Sequence, residues 1–340
     1  MTGTMWTVWD AYCGLGGFSA GALAALAEHE ATFVGVDNDK TPLATWKRNV
    51  APFVLETRAM CKTIGSDAID WPDEDGRLII HWSPCCQPFS KARATTAPTS
   101  AVDGGLDQIG MILDLVIEKG YRRWSIEEVA HPKIVALVKS FQDSHPQQVA
   151  FDILDAVAYG CPSERRRIIV SSPAILKDLK GRTTIDYVSP KSALTNAGIV
   201  PASNFYRNGN VSCEPRSIAR PCFTVTASHP LVWCNRDRSL VRCMTAAESA
   251  VLVGLPSKWE LPNGSGAAQR ATGNVVSPNL AEAIVRCALA LPDIEETMVA
   301  ETATMTRAEV VAIVEKAVAA ARKDLWCDLK KRLKKRLREQ

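Results

Sequence analysis

The sequence predicts an α/β protein: an open, doubly wound, mostly parallel sheet, with a small irregular or β-rich region and a C-terminal helix appended. Three observations predict it. Strand-like and helix-like segments alternate as far as about residue 170, the order a parallel sheet requires because each crossover carries a helix. A glycine-rich turn joins the first strand to the first helix, where backbone can approach a ligand closely. Past residue 172 the texture changes, and residues 183–222 are rich in Ser, Asn, Pro and Gly with few helical patterns.

In chain order, residues 7–10 read as the first strand and the Ala/Leu-rich residues 19–28 as the first helix. Residues 32–36 form the next strand and 42–49 the next helix. The apolar run 78–82 is a buried strand, followed by a helix over 109–119, a strand over 123–127, a helix over 133–141 and a strand over 166–171. Residues 244–255 read as a helix, 263–266 as a loop, and 278–291 as a helix that Pro292 ends. In residues 306–340, Val311, Val314, Val318, Ala321 and Leu325 fall near heptad spacing, and Trp326, Leu329, Leu333 and Leu337 extend the apolar stripe.

Composition narrows the function classes. The 340 residues, 46% hydrophobic and 23% charged, suit a globular chain of about two domains. No apolar run reaches bilayer length and no secretory leader pattern opens the chain, so a cytoplasmic protein is expected. The eleven cysteines are scattered, with no CxxC pair, and the five histidines have no metal-ligand spacing. Neither structural zinc nor a disulfide framework is expected. The net charge of +3 decides little, but residues 330–338 concentrate Lys and Arg at the end of the chain, where they could contact phosphates or simply be solvated.

Four segments carry chemistry. Asp10-Ala11-Tyr12-Cys13-Gly14-Leu15-Gly16-Gly17 is a strand end, a glycine turn and a helix start, and the next strand ends in Asp37, where a carboxylate suits a ribose hydroxyl pair. Alone, this means a nucleotide-like ligand and would equally suit a dehydrogenase. Ser83-Pro84-Cys85-Cys86-Gln87-Pro88-Phe89-Ser90 follows a strand, where α/β proteins place ligands. Ile126-Glu127-Glu128-Val129 ends another strand, and Tyr159-Gly160-Cys161-Pro162-Ser163-Glu164-Arg165-Arg166-Arg167 leads into one.

In order and spacing these segments resemble the cytosine-C5 DNA methyltransferases. The likeness continues in Arg242-Cys243-Met244-Thr245-Ala246-Ala247-Glu248, in Gly254-Leu255-Pro256 and in Gly273-Asn274-Val275-Val276-Ser277-Pro278, so that it covers residues 8–291. The resemblance implies a Rossmann-like fold of the S-adenosylmethionine methyltransferase type, with that cofactor, no metal and double-stranded DNA as partner. It implies Cys86 as nucleophile at cytosine C6, Glu127 at N3, and Arg165 and Arg167 beside the base and the thiol. Cofactor contacts are implied for Tyr12, Cys13, Gly14, Leu15, Gly16, Gly17, Asp37, Asn38 and Asn274. Candidate nucleic-acid contacts are Gln87, Ser90, Arg207, Asn208 and Arg216. The domains then read as 1–172 catalytic and cofactor-binding, 173–272 target recognition, 273–295 a helix returning to the first domain, and 296–340 a basic amphipathic helix that could self-associate. A restriction partner is compatible with this reading.

Three positions depart from the family pattern. Cys85 stands where the family has proline, and the following Gln87-Pro88-Phe89-Ser90 favours Cys86 over Cys85 as nucleophile. Glu128 replaces an asparagine; an ionised carboxylate only accepts hydrogen bonds, and one close to Glu127 is expected to raise that residue's pKa. No acidic residue stands in the stretch Arg58-Ala59-Met60-Cys61-Lys62, and the spacing of Asp67 and Asp70 suits neither to the adenine amino group. The alternatives are the same chemistry on RNA, a modified sulfonium donor, a non-catalytic DNA-binding homologue and, least, a nicotinamide dehydrogenase.

Overall fold

A computed structural model describes residues 5–65, 69–84, 89, 98–183, 187–207 and 213–292. Cys85, Cys86, Gln87, Ser90, Asn208 and the C-terminal segment 296–340 lie outside the described residues.

The elements are β1 (Trp6–Ala11), α1 (Gly17–Ala25), β2 (Ala31–Asp37), α2 (Lys40–Val50), β3 (Glu56–Cys61), β4 (Leu78–Trp82), α3 (Thr99–Lys119), β5 (Trp124–Val129), α4 (Pro132–Ser144), β6 (Ala150–Asp155), β7 (Arg166–Ser171), α5 (Pro173–Gly181), α6 (Pro190–Asn196), β8 (Phe205–Arg207), β9 (Arg216–Ser217), β10 (Val232–Cys234), β11 (Leu240–Cys243), α7 (Ala246–Leu252), α8 (Ser265–Asn274) and α9 (Pro278–Leu289). The main sheet has the order β3-β2-β1-β4-β5-β7-β6, parallel except for β7, which runs antiparallel to both β5 and β6. The mostly parallel, doubly wound architecture read from the sequence is therefore borne out. Strand order reverses between β1 and β4, and in such sheets ligands bind at that switch point, beyond the strands' carboxyl ends. The glycine turn follows β1 and Ser83-Pro84, the start of the second motif, follows β4, so topology alone brings these strand ends together.

Side-chain alternation divides the core. Val8 of β1, Phe33 of β2 and Ile79 of β4 share one cluster with Phe18 of α1 and Ile284 of α9. Trp9, Val34 and Ile80 face the other cluster, with Ile112 of α3 and Val138 of α4. The α1–α9 contact is close because it is built over glycine: a Cβ at Gly21 would lie 2.3 Å from the Pro278 carbonyl oxygen. Residues beyond about 190 contribute a second, four-stranded sheet, β11-β10-β8-β9, which is antiparallel and small. No described helix is long and apolar enough to cross a membrane.

Candidate active site

β1 ends at Ala11 and the chain turns through three left-handed residues, Tyr12 (φ 62°), Gly14 (φ 50°) and Gly16 (φ 88°). A tyrosine in this region is strained, and such strain persists only where surrounding bonds hold it. Here the Cys13 N–H donates to the Val36 carbonyl at 3.0 Å, and the Gly14 N–H donates to Asp37 Oδ2 at 2.8 Å. Asp37 Oδ1 accepts the Asp39 N–H, also at 2.8 Å. Burial raises the Asp37 pKa, against those two bonds. So fixed, the carboxylate keeps lone pairs for a further donor, as a ribose diol would be.

The glycines of the turn differ in purpose. A Cβ at Gly14 would meet nothing nearer than the Tyr12 oxygen at 3.8 Å, so the backbone there fronts open space beside Asp37. At Gly16 it would lie 2.8 Å from the Trp46 ring, and at Gly17 only 2.0 Å from the Val276 oxygen. Leu15 and Cys13 are buried, and the Leu15 carbonyl accepts Trp259 Nε1 at 2.8 Å. Packing therefore accounts for Gly16, Gly17 and the Leu15 side chain, while open backbone at Gly14 and the Asp37 carboxylate fit a nucleoside cofactor. Asn274, exposed, closes α8 directly before Val275, which abuts Gly17. Asn38 is exposed beside Asp37, and its carbonyl accepts the Cys61 thiol at 3.7 Å, so a cysteine ends β3 in the stretch that lacks an acidic residue. Gly17→Ala is expected to cost about 1–3 kcal/mol by overpacking against Val276, read as a lower denaturation midpoint; an unchanged midpoint would contradict this packing account.

Ser83 fixes the chain leaving β4 beside this turn: its N–H donates to the Ala11 carbonyl at 3.1 Å and its Oγ to the Tyr12 carbonyl at 3.3 Å. Phe89, beyond the candidate nucleophile, is buried against Gly105 and in ring contact with His131. Next along the sheet, β5 and β7 pair Glu127 with Ile169 and Val129 with Arg167, which puts Glu127 and Arg167 on one face. Arg167 Nε lies 3.1 Å from Glu127 Oε1, and Arg165 Nε 3.6 Å from the same oxygen. Arg165 Nη1 also donates to the Gly273 carbonyl at 3.2 Å, next to Asn274. Glu127 is 6% exposed and Arg165 3%, so two guanidiniums meet one carboxylate out of water. Their surplus positive charge suits a substrate oxygen or a thiolate.

Glu128 points to the opposite face of β5, toward Ile168. Its Oε2 accepts the Val129 N–H at 2.5 Å. Burial raises its pKa to about 8, with the charge of Glu127 adding to the rise. The departure from asparagine is thus softened: a neutral carboxylic acid offers one donor as well as acceptors, as an amide does. The expected effect of Glu128 on its neighbour takes the form of a shift in Glu128 itself.

Asp10, at the base of the same turn, accepts both the backbone N–H (3.1 Å) and the hydroxyl (2.6 Å) of Ser19, whose oxygen accepts Trp46 Nε1. Burial raises its pKa to about 7. Both carboxyls therefore hold protons in the folded chain that the unfolded chain has released, and stability falls as pH rises from their unfolded values through the folded ones. Between pH 6 and pH 9 the expected loss is on the order of 1 kcal/mol from Asp10 and 2–3 kcal/mol from Glu128, measured by denaturant melts. Stability that climbs across this window would refute the assignment. His81 is a core residue, as its lack of ligand spacing suggests: it stacks on Phe18 at 4.0 Å, bonds Ser125 through Nδ1, and burial lowers its pKa to about 3.

The predicted nucleic-acid residues are distributed differently. Arg207, at the end of β8, is 7% exposed. Arg216 donates to Glu164 and to the Pro221 carbonyl, each at 2.7 Å, and its guanidinium lies 3.8 Å over the Phe223 ring. It anchors β9 to the arginine motif instead of facing outward. The sequence reading set target recognition in 173–272 but took its candidate contacts there from 183–222, and it named none on the β10–β11 hairpin, whose exposed arginines follow the His-Pro at 229–230. It also gave no role to Glu248, which is buried and bonded to Trp233, Arg242 and Thr245. The Thr-x-x-Glu capping-box spacing at 245–248 was the available signal. No metal-binding group occurs among the described residues.

No family model matches the chain. A curated relative, the type II methyltransferase M.AplI of Arthrospira platensis, is 27% identical over 309 residues, covering 82% of this chain and 84% of the relative. Among solved structures, a protein encoded within an E. coli prophage and described as a DNA modification methyltransferase aligns with TM-score 0.59 at 19% identity, over 84% of this chain and 99% of that one. The Entamoeba histolytica methyltransferase EhMeth (TM-score 0.55) and the S. pombe Dnmt2 methyltransferase (TM-score 0.54) each align at 14% identity over 84% of this chain and 98% of theirs. At these identities the solved structures speak for the fold, which is that of the S-adenosylmethionine methyltransferases. With the curated relative, they bear out the family resemblance carried by the motifs.

Proposed function

We propose that this chain, with the fold and motif order of the cytosine-C5 methyltransferases, transfers a methyl group to C5 of a cytosine in DNA. The observation that carries the reading is the buried Glu127–Arg165–Arg167 cluster, built at the carboxyl end of the sheet and joined through Gly273 to the glycine-turn side. S-adenosylmethionine, when bound, supplies the electrophilic methyl group. Asp37 and the open backbone at Gly14 would hold its nucleoside portion, with Tyr12, Asn38 and Asn274 around it.

Cytosine C5 is too weak a nucleophile to attack a sulfonium methyl group unaided. Addition of the Cys86 thiolate to C6 makes C5 enamine-like. Arg165 and Arg167 favour the thiolate and orient the base through O2, and Glu127 hydrogen-bonds at N3, where charge develops. A base then takes the C5 proton, and β-elimination returns Cys86. A duplex target must leave the stack to reach residues buried this far. The arrangement asks nothing of a metal.

Transfer from labelled S-adenosylmethionine to unmethylated duplex DNA, single-stranded DNA and transfer RNA tests the reading. Label at cytosine C5 of the duplex is expected. Label in RNA alone would overturn the DNA assignment and favour the second reading, for which the small recognition sheet, with strands of two to four residues, is the motive. No label with any of the three would point to a modified donor or a non-catalytic binder.

A further inference from the structure

We propose that β3, at one edge of the main sheet, is a dimerisation strand: it pairs antiparallel with β3 of a second copy, across a two-fold axis at Ala59. The inference concerns the scaffold and stands whichever nucleic acid the active site serves.

β3 ends the sheet order, and no described strand pairs with its outer side. Its parallel ladder with β2 sets Glu56 opposite Thr32 and Cys61 opposite Asp37. The Lys62 N–H donates to the Asp37 carbonyl at 3.0 Å, and that bond fixes the phase of the ladder. Even-numbered residues of β3 bond inward, so Thr57, Ala59 and Cys61 turn their N–H and C=O groups outward. Glu56, Arg58, Met60 and Lys62 share one face of the sheet. Glu56, Arg58, Ala59, Cys61 and Lys62 are all exposed, so the strand is open along its length. An edge left open in this way is a template for another strand.

Symmetry, hydrogen bonding and charge together select one register. A two-fold axis makes the same surface meet itself, which sets identical strands antiparallel. The hydrogen-bonded pairs of such a ladder must join residues that both point outward. The axis can then fall at Arg58, Ala59 or Met60. At Arg58 it would set two arginines directly opposite each other, and at Met60 it would set Arg58 opposite Lys62. At Ala59 it sets Glu56 opposite Lys62 of the second copy, on both sides of the axis, and Arg58 opposite Met60. Opposite charges facing across a ladder stabilise it, and like charges destabilise it. The Ala59 register also gives about six backbone bonds, because Thr57 exchanges both bonds with Cys61 and Ala59 with its own copy. The Glu56–Lys62 pairs fall at non-hydrogen-bonded positions, where side chains come closest. The two Arg58 residues become diagonal neighbours about 7–8 Å apart, with stems long enough to carry their guanidiniums into solvent.

The apolar surface at the two ends of β3 fits the same register. Phe53 and Leu55, 68% and 65% exposed, precede the strand. Beyond its other end, Met111 of α3 is 46% exposed and lies over Gly65, where a Cβ would come within 2.8 Å of the Met111 Cε. The Ala59 axis brings residue 53 of one copy toward residue 65 of the other, so Phe53 and Leu55 approach the Met111 of the second copy. Large apolar side chains exposed around one edge are thereby covered together. Antiparallel pairing also turns the carboxyl ends of the two sheets in opposite directions, so the two sites face away from each other and neither blocks the other.

The test measures the mass of the full chain by sedimentation over a range of concentration and salt. It compares the parent with Glu56→Lys, Lys62→Glu and the combined exchange Glu56→Lys/Lys62→Glu. The parent should form a dimer that loosens as salt screens the charge pairs. Each single reversal sets like charges opposite on both sides of the axis and should raise the dissociation constant about 10-fold or more. The combined exchange restores opposite charges and should return it to within about 3-fold of the parent. All three variants should keep the parent's melting temperature at dilutions where each is monomeric, because both side chains are exposed. Under mild oxidation Ala59→Cys should give more covalent dimer than the parent, since hydrogen-bonded partners about 5.5 Å apart at Cα lie within disulfide range. A parent that is monomeric throughout would overturn the proposal. So would a dimer indifferent to both reversals, which would place self-association elsewhere in the chain. Weakening that the combined exchange does not repair, or no gain of covalent dimer in Ala59→Cys, would remove the Ala59 axis and the proposal with it.

Discussion

Cys86→Ala is expected to reduce methyl transfer to the background rate while leaving S-adenosylmethionine binding intact. The two consequences separate because the residues do different work. Without a sulfur to add at C6, C5 stays aromatic, and neither Glu127 nor the arginines can make it nucleophilic. On the proposed reading cofactor binding falls instead to Asp37 and the turn at Gly14, which the Ala11, Val36 and Ser83 backbone bonds hold in place. The same experiment on Cys85 discriminates between the two adjacent thiols. Cys85→Ala should keep most of the activity, because the agreement of Gln87-Pro88-Phe89-Ser90 with the family places the nucleophile one residue later. A covalent complex trapped with 5-fluorocytosine duplex should form with the parent and with Cys85→Ala but not with Cys86→Ala. Trapping lost only in Cys85→Ala would reverse the assignment. Both candidates follow in sequence the end of β4, which Ser83 fixes to the glycine turn.

How much of this was legible in the sequence follows from burial. The central strands β1, β2, β4, β5 and β7 are mostly closed to water on both faces and were read at nearly their true positions, β2 and β4 as largely apolar runs and β5 despite the buried Ser125, Glu127 and Glu128. The two edges were missed. β3 (Glu56–Cys61) and β6 (Ala150–Asp155) lie at the ends of the sheet order and are partly solvated, so their composition resembles that of loops. The first half of α3 was left out of the helix read over 109–119, and α8 was not read as a helix, its start falling in the 263–266 loop, because Gly104, Gly105, Gly264 and Gly266 argue locally against helix and only packing overrides them. In the site, the motifs name Glu127, Arg165 and Arg167, but that both guanidiniums reach one carboxyl oxygen depends on the β5–β7 register, which no local pattern encodes. Arg216 illustrates the opposite limit: by type it could read DNA, yet Glu164, 52 residues earlier, and the nearby Phe223 ring claim it.

The largest contrast expected between neighbouring residues is between Glu127→Gln and Glu128→Gln. The first removes the carboxylate that pairs with two guanidiniums buried with it, and with it the group proposed to meet developing charge at N3. Loss of one such electrostatic contact typically costs about 10²–10³ in kcat. Folding should suffer too, since breaking a buried ion pair leaves uncompensated charge, at about 3–5 kcal/mol where nothing relaxes. Kinetics must therefore be measured below the unfolding midpoint of the variant, with duplex and cofactor binding checked separately. Glu128→Gln should behave otherwise. With its folded pKa raised to about 8 by burial, Glu128 is already mostly protonated at pH 7, and glutamine reproduces a neutral donor and acceptor in the same space. Activity at pH 7 should stay within a few-fold of the parent, and stability at pH 9 should rise, because the variant has no proton to lose there. If the parent's activity declines above pH 8 through ionisation of Glu128, that decline should disappear in Glu128→Gln and persist in Cys85→Ala. Should Glu128→Gln instead be as inactive at pH 7 as Glu127→Gln, the carboxylate of Glu128 would be needed in its charged form, and the likeness between this neutral acid and the family's asparagine would have to be given up.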